Sequence, residues 1–389
     1  MGSTPTPGTK FFIMYKIPEK LEKTLLSYIK KTYLPKGHAN PKTADQFTNY
    51  DVKFFARGAA ELSQCFTSER AYLPKNYLNK KELRAGYILY FVMANFLKMR
   101  FCLEAAGALE RFAGSSTIKI ADIGCGPGTA SLACADYWRG QTIEITAIDQ
   151  NTGILHDAKH IFREFAEDNA KLKTVYSNLH PKNIRHVLKE KFNIIIAANF
   201  LSEIGDTQKQ AELVSALLAN HLETDGLLII IEPALRWTTR NLMKLRDVLL
   251  STINHQPSTI LSPCLHNLPC PMLATNHRDW CHMYLNWKRP DVIEKIDRLI
   301  GNRKDYLKFS YLIFELSHYR TIEPSHPIWR VVSAPMHSKG KIELLLCNAS
   351  GLKKITRLDK DASDKNKDFE HVWRGDLVTY AGTNFQKVF

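Results

Sequence analysis

A turn with almost no side chains, lying between an apolar strand and a helix, constrains this chain more than any other part of its sequence. The predicted strand Ile118–Ile123 leads into Gly124-Cys125-Gly126-Pro127-Gly128, and a helix begins at Thr129. Glycine is needed where a Cβ would collide with a ligand lying on the turn, or where the backbone adopts a positive φ. The pattern therefore predicts a strand, a ligand-binding turn and a helix in succession.

Short apolar runs alternate with helical stretches from Ile118 onward. Five strands are predicted, at Ile118–Ile123, Ile143–Ile148, Leu172–Tyr176, Phe192–Ala198 and Leu227–Ile231. Helices are predicted near 129–138, 153–169, 182–190, 208–222 and 237–252. Apolar strands joined by crossover helices form a parallel sheet that is covered on both faces, so the predicted fold class is α/β.

The chain divides into three predicted parts. Residues 1–115 form a mostly helical N-terminal region, 116–255 the Rossmann-like core, and 256–389 an extension with a cysteine loop, the remaining core strands and a C-terminal β part. The aromatic residues of Tyr87–Phe101 are expected in the core rather than on a base-stacking surface. Predictions within the extension are an irregular segment at Ser262–Cys281, strands at Phe309–Leu316 and Asp376–Tyr380, a hairpin of Trp329–Val332 with Lys341–Cys347, and a charged loop at Asp359–Glu370.

The register of the glycines distinguishes two kinds of nucleotide-binding turn. A dinucleotide fingerprint would place its third glycine at position 129, which is Thr129, whereas this chain has it at Gly128. The spacing resembles that of class I methyltransferases, which hold S-adenosylmethionine on this turn. Asp149 ends the second predicted strand, where a carboxylate accepts the hydroxyl hydrogens of a ribose in nucleotide folds.

The resemblance to class I methyltransferases implies a set of cofactor-binding residues. It places Asp122 near the methionine portion of the cofactor, and Asn178 and Asn199 near the adenine and the reacting methyl group. The full set is Asp122, Gly124, Cys125, Gly126, Gly128, Asp149, Asn178 and Asn199.

Four cysteines in the extension are candidate metal ligands. Cys264 and Cys270 flank a proline-rich turn, Cys281 follows, and Cys347 ends a predicted strand from which folding can deliver a fourth thiolate. Four thiolates are the usual complement of an iron–sulfur cluster or a structural zinc ion, although neither common spacing is matched. Alternative ligands that would favour zinc are His266, His277 and His282, and the cysteines expected to be structural are Cys65, Cys102, Cys125 and Cys134.

The sequence around these cysteines resembles a known family. The segments 262–271 and 279–282, Leu346-Cys347 followed by Gly351, and Arg374-Gly375-Asp376-Leu377 are similar to the methyltransferase-like proteins of the mitochondrial small ribosomal subunit and their bacterial relatives. The likeness runs from about residue 70 to the end, with Leu265 where the family usually has proline and Met283 where it often has phenylalanine. The resemblance implies a [4Fe–4S] cluster at Cys264, Cys270, Cys281 and Cys347, with zinc as the alternative, and association with the small ribosomal subunit during assembly.

The charge of the chain points to a polyanionic partner. With 53 basic and 39 acidic residues, the net charge is +14. This charge favours RNA, here ribosomal RNA, as the partner, and the alternative is a basic protein without such a partner.

Residues 1–20 contain no signal-peptide core and few arginines, so we expect the protein in the bacterial cytoplasm, or alternatively in the mitochondrial matrix. Apolar runs are too short to span a bilayer, so no membrane partner is expected, and the free protein is expected to be a monomer.

The sequence identifies no catalytic residue. After the fourth predicted strand it has Asn199-Phe200-Leu201-Ser202-Glu203, without the prolines of amine methylases. Cys125 is a poor candidate for a nucleophile, and Ser202 and Glu203 are more typical of a helix start. Two functions stay open: an S-adenosylmethionine-dependent methyltransferase acting on small-subunit ribosomal RNA, and a non-catalytic assembly factor that uses cofactor and cluster structurally. The C-x3-C-x2-C motif of radical enzymes is absent from the sequence.

Overall fold

The computed structural model describes residues 14–35, 47–67, 77–252, 258–316 and 328–388. The strands in these ranges are β1 (Tyr15–Lys16), β2 (Ile118–Ile123), β3 (Ile143–Asp149), β4 (Ala170–Tyr176), β5 (Phe192–Ala198), β6 (Leu222–Pro233), β7 (Ser258–Ser262), β8 (Met283–Lys288), β9 (Tyr306–Leu316), β10 (Ile328–Val331), β11 (Met336–Ser338), β12 (Lys341–Asn348), β13 (Gly351–Leu358), β14 (Leu377–Ala381) and β15 (Asn384–Val388). The α-helices are α1 (Glu19–Tyr33), α2 (Asn49–Thr67), α3 (Lys81–Tyr90), α4 (Val92–Ala105), α5 (Ala108–Arg111), α6 (Thr129–Tyr137), α7 (Thr152–Phe165), α8 (Ile184–Val187), α9 (Thr207–His221), α10 (Arg236–Thr252), α11 (Pro271–Thr275) and α12 (Asp291–Ile300).

The main sheet has the order β1-β8-β9-β6-β5-β2-β3-β4, and β7 also pairs with β9. Strands β2 to β6 run parallel to one another, whereas β9 is antiparallel to both β6 and β8. The α/β prediction is therefore confirmed. The sheet also takes β1 from the N-terminal region and β7, β8 and β9 from the extension, so it reaches beyond residues 116–255.

Successive side chains of the central strands point to opposite faces of the sheet, and both faces are buried. In β5, Ile194 and Ile196 pack with the N-terminal helices α1, α3 and α4, whereas Ile195 packs with α9 and α10 on the other face. Burial on both faces explains why these strands are continuous apolar runs. Side-chain caps fix two of the crossover helices: Asn151 accepts from the backbone N–H of Ile154 at 2.9 Å, and Asp206 accepts from that of Lys209 at 2.9 Å.

Helices α3 and α4 carry the apolar run Tyr87–Phe101 into the core, as predicted. Tyr90 and Phe96 are fully buried within it. None of the described helices is by itself long and apolar enough to cross a membrane, and α3 with α4 passes that test only as a pair bent by 48°.

The C-terminal part forms a second sheet with the order β11-β12-β10-β14-β15, in which β13 also pairs with β12. It encloses a small apolar core of its own, which includes Trp329, Leu344, Phe369, Val378 and Phe385.

Three local predictions differ from the structure in detail. The antiparallel pairing of β10 with β12, with Arg330 opposite Cys347, is confirmed, but β11 lies between them in the chain and pairs with β12 around Gly340. The helix predicted near 182–190 is only the single turn of α8. The charged segment Asp359–Glu370 forms short 3-10 turns, in which Asn366 caps the backbone N–H of Ser363 at 2.9 Å.

Candidate functional site

The glycine loop connects β2 to α6 at the carboxyl end of the parallel strands. Gly124, Gly126 and Gly128 adopt φ values of +66°, +53° and +76°, which favour glycine. A Cβ on Gly124 would lie 2.3 Å from a ring carbon of Phe200. A Cβ on Gly126 would meet no described atom within 4 Å beyond its chain neighbours, so this glycine faces open space.

Asp122 lies buried beneath the loop. Its carboxylate accepts hydrogen bonds from the Ser131 backbone N–H at 3.1 Å and from the Ser131 hydroxyl at 2.7 Å. Burial raises the pKa of Asp122 to about 6, although the bonds from Ser131 oppose this effect. The residue therefore fixes the start of α6 and also borders the space above the loop.

Asp149 braces the same loop from the neighbouring strand. One carboxylate oxygen accepts from the Gly126 N–H at 3.0 Å, and the other accepts from the Asn151 N–H at 2.9 Å. Burial raises the pKa of Asp149 despite these bonds. The sequence predicted a contact between this carboxylate and a ribose, and it did not predict the contact with the loop.

A cavity of about 410 Å³, which we call the glycine-loop cavity, opens beside these residues. Five of the predicted cofactor residues line it: Asp122, Gly124, Cys125, Gly126 and Asn199. Asn199 adopts a left-handed backbone with φ +59°, and its N–H donates to Ile231 O at 2.7 Å.

The other three predicted residues lie outside the lining of the glycine-loop cavity. Gly128 begins α6, Asp149 contacts the loop backbone, and the carbonyl of Asn178 accepts from the Asn183 side chain at 2.8 Å. Their role toward a cofactor stays a prediction.

Helices α3 and α4 close the glycine-loop cavity with side chains that the sequence analysis missed. These are Tyr87, Asn95 and Met99. The available signal was Asn95, a polar residue within an apolar helical run. Thr129 also lines the cavity, and within the described part of the chain its buried hydroxyl has no hydrogen-bond partner.

Among the described residues that line this cavity, we find no catalytic group. Burial raises the pKa of the Cys125 thiol well above its usual value, which disfavours a thiolate nucleophile. Ser202 and Glu203 lie in a 3-10 turn, where the Ser202 N–H donates to Glu232 at 3.2 Å.

The four candidate cysteine ligands all line a second cavity, of about 700 Å³, which we call the cysteine cavity. Cys264 follows β7, Cys270 precedes α11, Cys281 precedes β8, and Cys347 lies in β12. Cys270 packs there with Met243, Met272 and Val332. The folding of both sheets thus brings together cysteines that are far apart in sequence.

Three arginines border the cysteine cavity, and none of them was predicted from the sequence as a residue of this site. Arg246 is buried, and its Nε donates to the Cys264 sulfur at 3.3 Å. Arg330 and Arg374 also line the cavity, and in the described ranges the buried Nε of each has no hydrogen-bond partner. Arg330 also donates to the Gly375 carbonyl at 2.7 Å, and Arg374 donates to that of Val332.

The thiols of the cysteine cavity repel one another as anions. Burial, together with the other three cysteines, raises the pKa of Cys281 to about 12, and burial with Cys264 and Cys270 raises that of Cys347 to about 12. Four thiolates therefore need a cationic centre between them, so the donor set fits a metal group.

The histidines proposed as alternative ligands are not equivalent. His266 and His282 line the cavity, and burial lowers the pKa of His282 to about 4. His277 is not among the residues that line it, and its carbonyl accepts from Arg236. Among the described residues, no three Cys, His, Asp or Glu side chains are grouped to hold a single metal ion.

The fold and the glycine loop together define the class of protein. The parallel strands in the order β4-β3-β2-β5-β6, followed by antiparallel β9, form a Rossmann-like class I methyltransferase fold. Residues 82–375 match the family described as mitochondrial small ribosomal subunit Rsm22. Since this match covers more than half of the chain, the protein belongs to that family.

One curated relative is the human protein named "Ribosome assembly protein METTL17, mitochondrial". It is 23% identical over 190 residues, which cover 46% of this chain and 40% of the human protein. The match therefore spans less than half of that relative's length.

Two solved structures to which the chain is similar are named as methyltransferases. A putative class I S-adenosylmethionine-dependent methyltransferase from Listeria monocytogenes has a TM-score of 0.39 at 11% identity, covering 79% of this chain and 92% of its own. A ribosomal protein L11 methylase from Lactobacillus delbrueckii subsp. bulgaricus has a TM-score of 0.32 at 15% identity, covering 55% of this chain and 78% of its own.

Proposed function

We propose that this chain is an assembly protein of the small ribosomal subunit that contacts ribosomal RNA, binds S-adenosylmethionine and carries a [4Fe–4S] cluster. The observation that carries the proposal is the family match, because residues 82–375 include both the glycine-loop cavity and all four cysteines. The name of the human relative supports the same role.

S-adenosylmethionine is proposed as the ligand of the glycine-loop cavity. Gly126 leaves open space for it, and the unpaired Thr129 hydroxyl supplies a hydrogen-bonding group. Asp122 and Asn199 would contact the cofactor, while Asp149 would hold the loop and use its remaining lone pairs toward the ribose. The bound cofactor would supply an activated methyl group.

A [4Fe–4S] cluster is proposed as the ligand of the cysteine cavity. Thiolates around one zinc ion lie roughly 3.8 Å apart, as Zn–S bonds of about 2.3 Å require, whereas a cluster spreads its ligands around a larger body. The cluster is proposed ahead of zinc because the family resemblance of the segments around the four cysteines implies a cluster. Anionic sulfur of the cluster would accept from Arg330 and Arg374 and fasten the segment 262–281 to β12.

Methyl transfer to ribosomal RNA is the second candidate function, and the retained glycine-loop cavity is the observation that favours it. Among the described residues that line this cavity, Asp122 is already bonded to Ser131 and Cys125 is a buried thiol. A nucleophile that must lose a proton would therefore find no free base there. This geometry favours cofactor binding without catalysis.

A methyl-transfer assay on immature small subunits tests both candidates. The protein is incubated with tritiated S-adenosylmethionine and the subunits, and both co-sedimentation and label in the RNA are measured. We expect co-sedimentation without label. Label that disappears with Asp149→Ala but persists with Asp168→Ala, an exposed aspartate away from the loop, would establish the enzyme. Absence of co-sedimentation would overturn the proposed function.

A further inference from the structure

Three aromatic rings form a surface strip that neither ligand requires. Ring centroids are 5.9 Å apart for Tyr284 and Tyr306, and 6.3 Å apart for Tyr306 and Trp373. The planes of these pairs meet at 24° and 30°. We call Tyr284, Tyr306 and Trp373 the aromatic strip, and His282 and Trp280 continue it toward the cysteine cavity.

Strand pairing explains why the tyrosines of the strip face outward. In the β8–β9 ladder, Tyr284 lies opposite Lys308 and Asn286 lies opposite Tyr306. The alternate residues Leu285 and Leu307 are buried in the main core. Tyr306 is 41% exposed, whereas Tyr284 and Trp373 are half-buried, so Tyr306 supplies most of the exposed ring surface of the strip.

Basic side chains lie beside the aromatic strip, and the neighbouring carboxylates of Asp305 and Asp376 are held in ion pairs. Lys308 Nζ lies 4.8 Å from the centroid of the Tyr284 ring, and the Arg374 guanidinium lies 5.4 Å from the same ring. Lys288 is exposed on the outward side of β8 and pairs with Lys16 of β1. The outward positions of β8 and of the start of β9 carry Tyr284, Asn286, Lys288, Tyr306 and Lys308, with no carboxylate among them.

We propose that the aromatic strip is a stacking platform for unpaired bases of RNA, with Lys288 and Lys308 contacting the adjacent phosphates. Every base has a face that stacks on an aromatic ring, and a basic surface follows the backbone. A duplex hides its base faces, so the strip selects single-stranded segments. This inference rests on the proposed function, which supplies the RNA partner. It adds that the aromatic strip binds the RNA and that the bound RNA is single-stranded.

The test measures the affinity of the purified full chain for a labelled single-stranded oligoribonucleotide of about 12 nucleotides by fluorescence anisotropy. Tyr306→Ala should weaken binding between about fivefold and 150-fold, the usual effect of removing one stacking partner. Tyr306→Phe keeps the ring and should bind like the unsubstituted chain. The matched control is Tyr176→Ala, since Tyr176 is 66% exposed at the end of β4, and it should have no effect.

Salt dependence separates stacking from phosphate contact. Lys308→Ala should reduce the slope of log affinity against log salt by about 0.7, as expected for one lost phosphate contact with a single strand. Tyr306→Ala should leave this slope unchanged.

Other outcomes contradict the inference in distinguishable ways. If Tyr306→Ala binds the oligoribonucleotide as tightly as the unsubstituted chain and still binds immature subunits, the inference fails and the proposed function stands. If Tyr306→Ala weakens subunit binding alone, the strip contacts a ribosomal protein and the inference also fails. If the unsubstituted chain binds neither the oligoribonucleotide nor the subunit, both fail together.

Discussion

Residues of the glycine loop meet two separate requirements. Gly124 leaves room for the ring of Phe200, while Gly126 has open space beside it and a left-handed backbone. A substitution at Gly126 therefore disturbs a ligand in that space without a clash inside the protein.

Gly126→Ala should lower the affinity for S-adenosylmethionine between about fivefold and 150-fold, because the added methyl group enters the proposed ligand space. It should also cost about 1 kcal/mol of folding free energy through the left-handed φ. Gly140→Ala is the matched control, since Gly140 has a φ of +80° with open space in a turn away from the cavity. Calorimetry and urea unfolding measure the two effects. Equal cofactor affinity in both variants would mean that the loop is not the binding site.

The buried carboxylate of Asp122 makes stability depend on pH. Its folded pKa of about 6 lies above the usual 3.8, so the stability it contributes is full below pH 3.8 and is lost as the pH rises through 6. Asp122→Asn removes this loss and should be more stable than the unsubstituted chain at pH 7.5, by up to about 3 kcal/mol. Urea unfolding at pH 4.5 and 7.5 should show the difference shrinking in acid. A difference that is the same at both pH values contradicts this cause.

At the scale of elements, the sequence predicted the central strands well because each is an apolar run bounded by polar residues. The bounds of β2 and β5 matched the prediction at both ends. Strands β1, β7, β8, β11, β13 and β15 were not predicted, and β13 and β15 are largely exposed strands with few apolar residues. The length of α8 was also overestimated.

The candidate site could be predicted only in part. The four cysteines that line the cysteine cavity were singled out from their clustering and from the family resemblance, and their role as metal ligands stays a prediction. Arg330 and Arg374 were not singled out, since only the pairing of β10 with β12 and the turn before β14 bring them to the cysteines. Asp149 was predicted to contact the ribose of the cofactor. Its hydrogen bond to Gly126 was not predicted, because it depends on the register of β2 against β3.

We expect the segment between β7 and β8 to depend on the proposed metal centre, because it contains little regular structure besides α11. Cys347→Ser should reduce the iron content and speed amide hydrogen exchange in residues 262–281, since the proposed cluster would lose its ligand from β12. Cys65→Ser, in α2, should change neither quantity. Unchanged exchange in Cys347→Ser would show that this segment is held by protein contacts alone.

In the molecule as a whole, the cysteine cavity lies between the apolar cores of the two sheets. Cys270 and Cys281 belong to segments that lead into the main sheet, and Cys347 belongs to the second sheet. The second sheet has its own small core, centred on residues such as Leu344 and Phe385.

Removing the metal with a chelator under reducing conditions should therefore separate the unfolding of the two sheets. The intact protein should unfold in one thermal transition, and the apoprotein in two, with the smaller core melting first. Circular dichroism follows the transitions. A single transition at an unchanged temperature after complete metal removal would contradict a linking role for the centre.

A cysteine-ligated cluster is proposed to join the two sheets of this methyltransferase-like fold while the protein binds RNA. The presence of the cluster is tested by anaerobic purification, followed by an absorption spectrum and by iron and sulfide analysis. We expect a broad absorbance near 400 nm with about four iron and four sulfide ions per chain. A colourless protein that contains one zinc ion would contradict it.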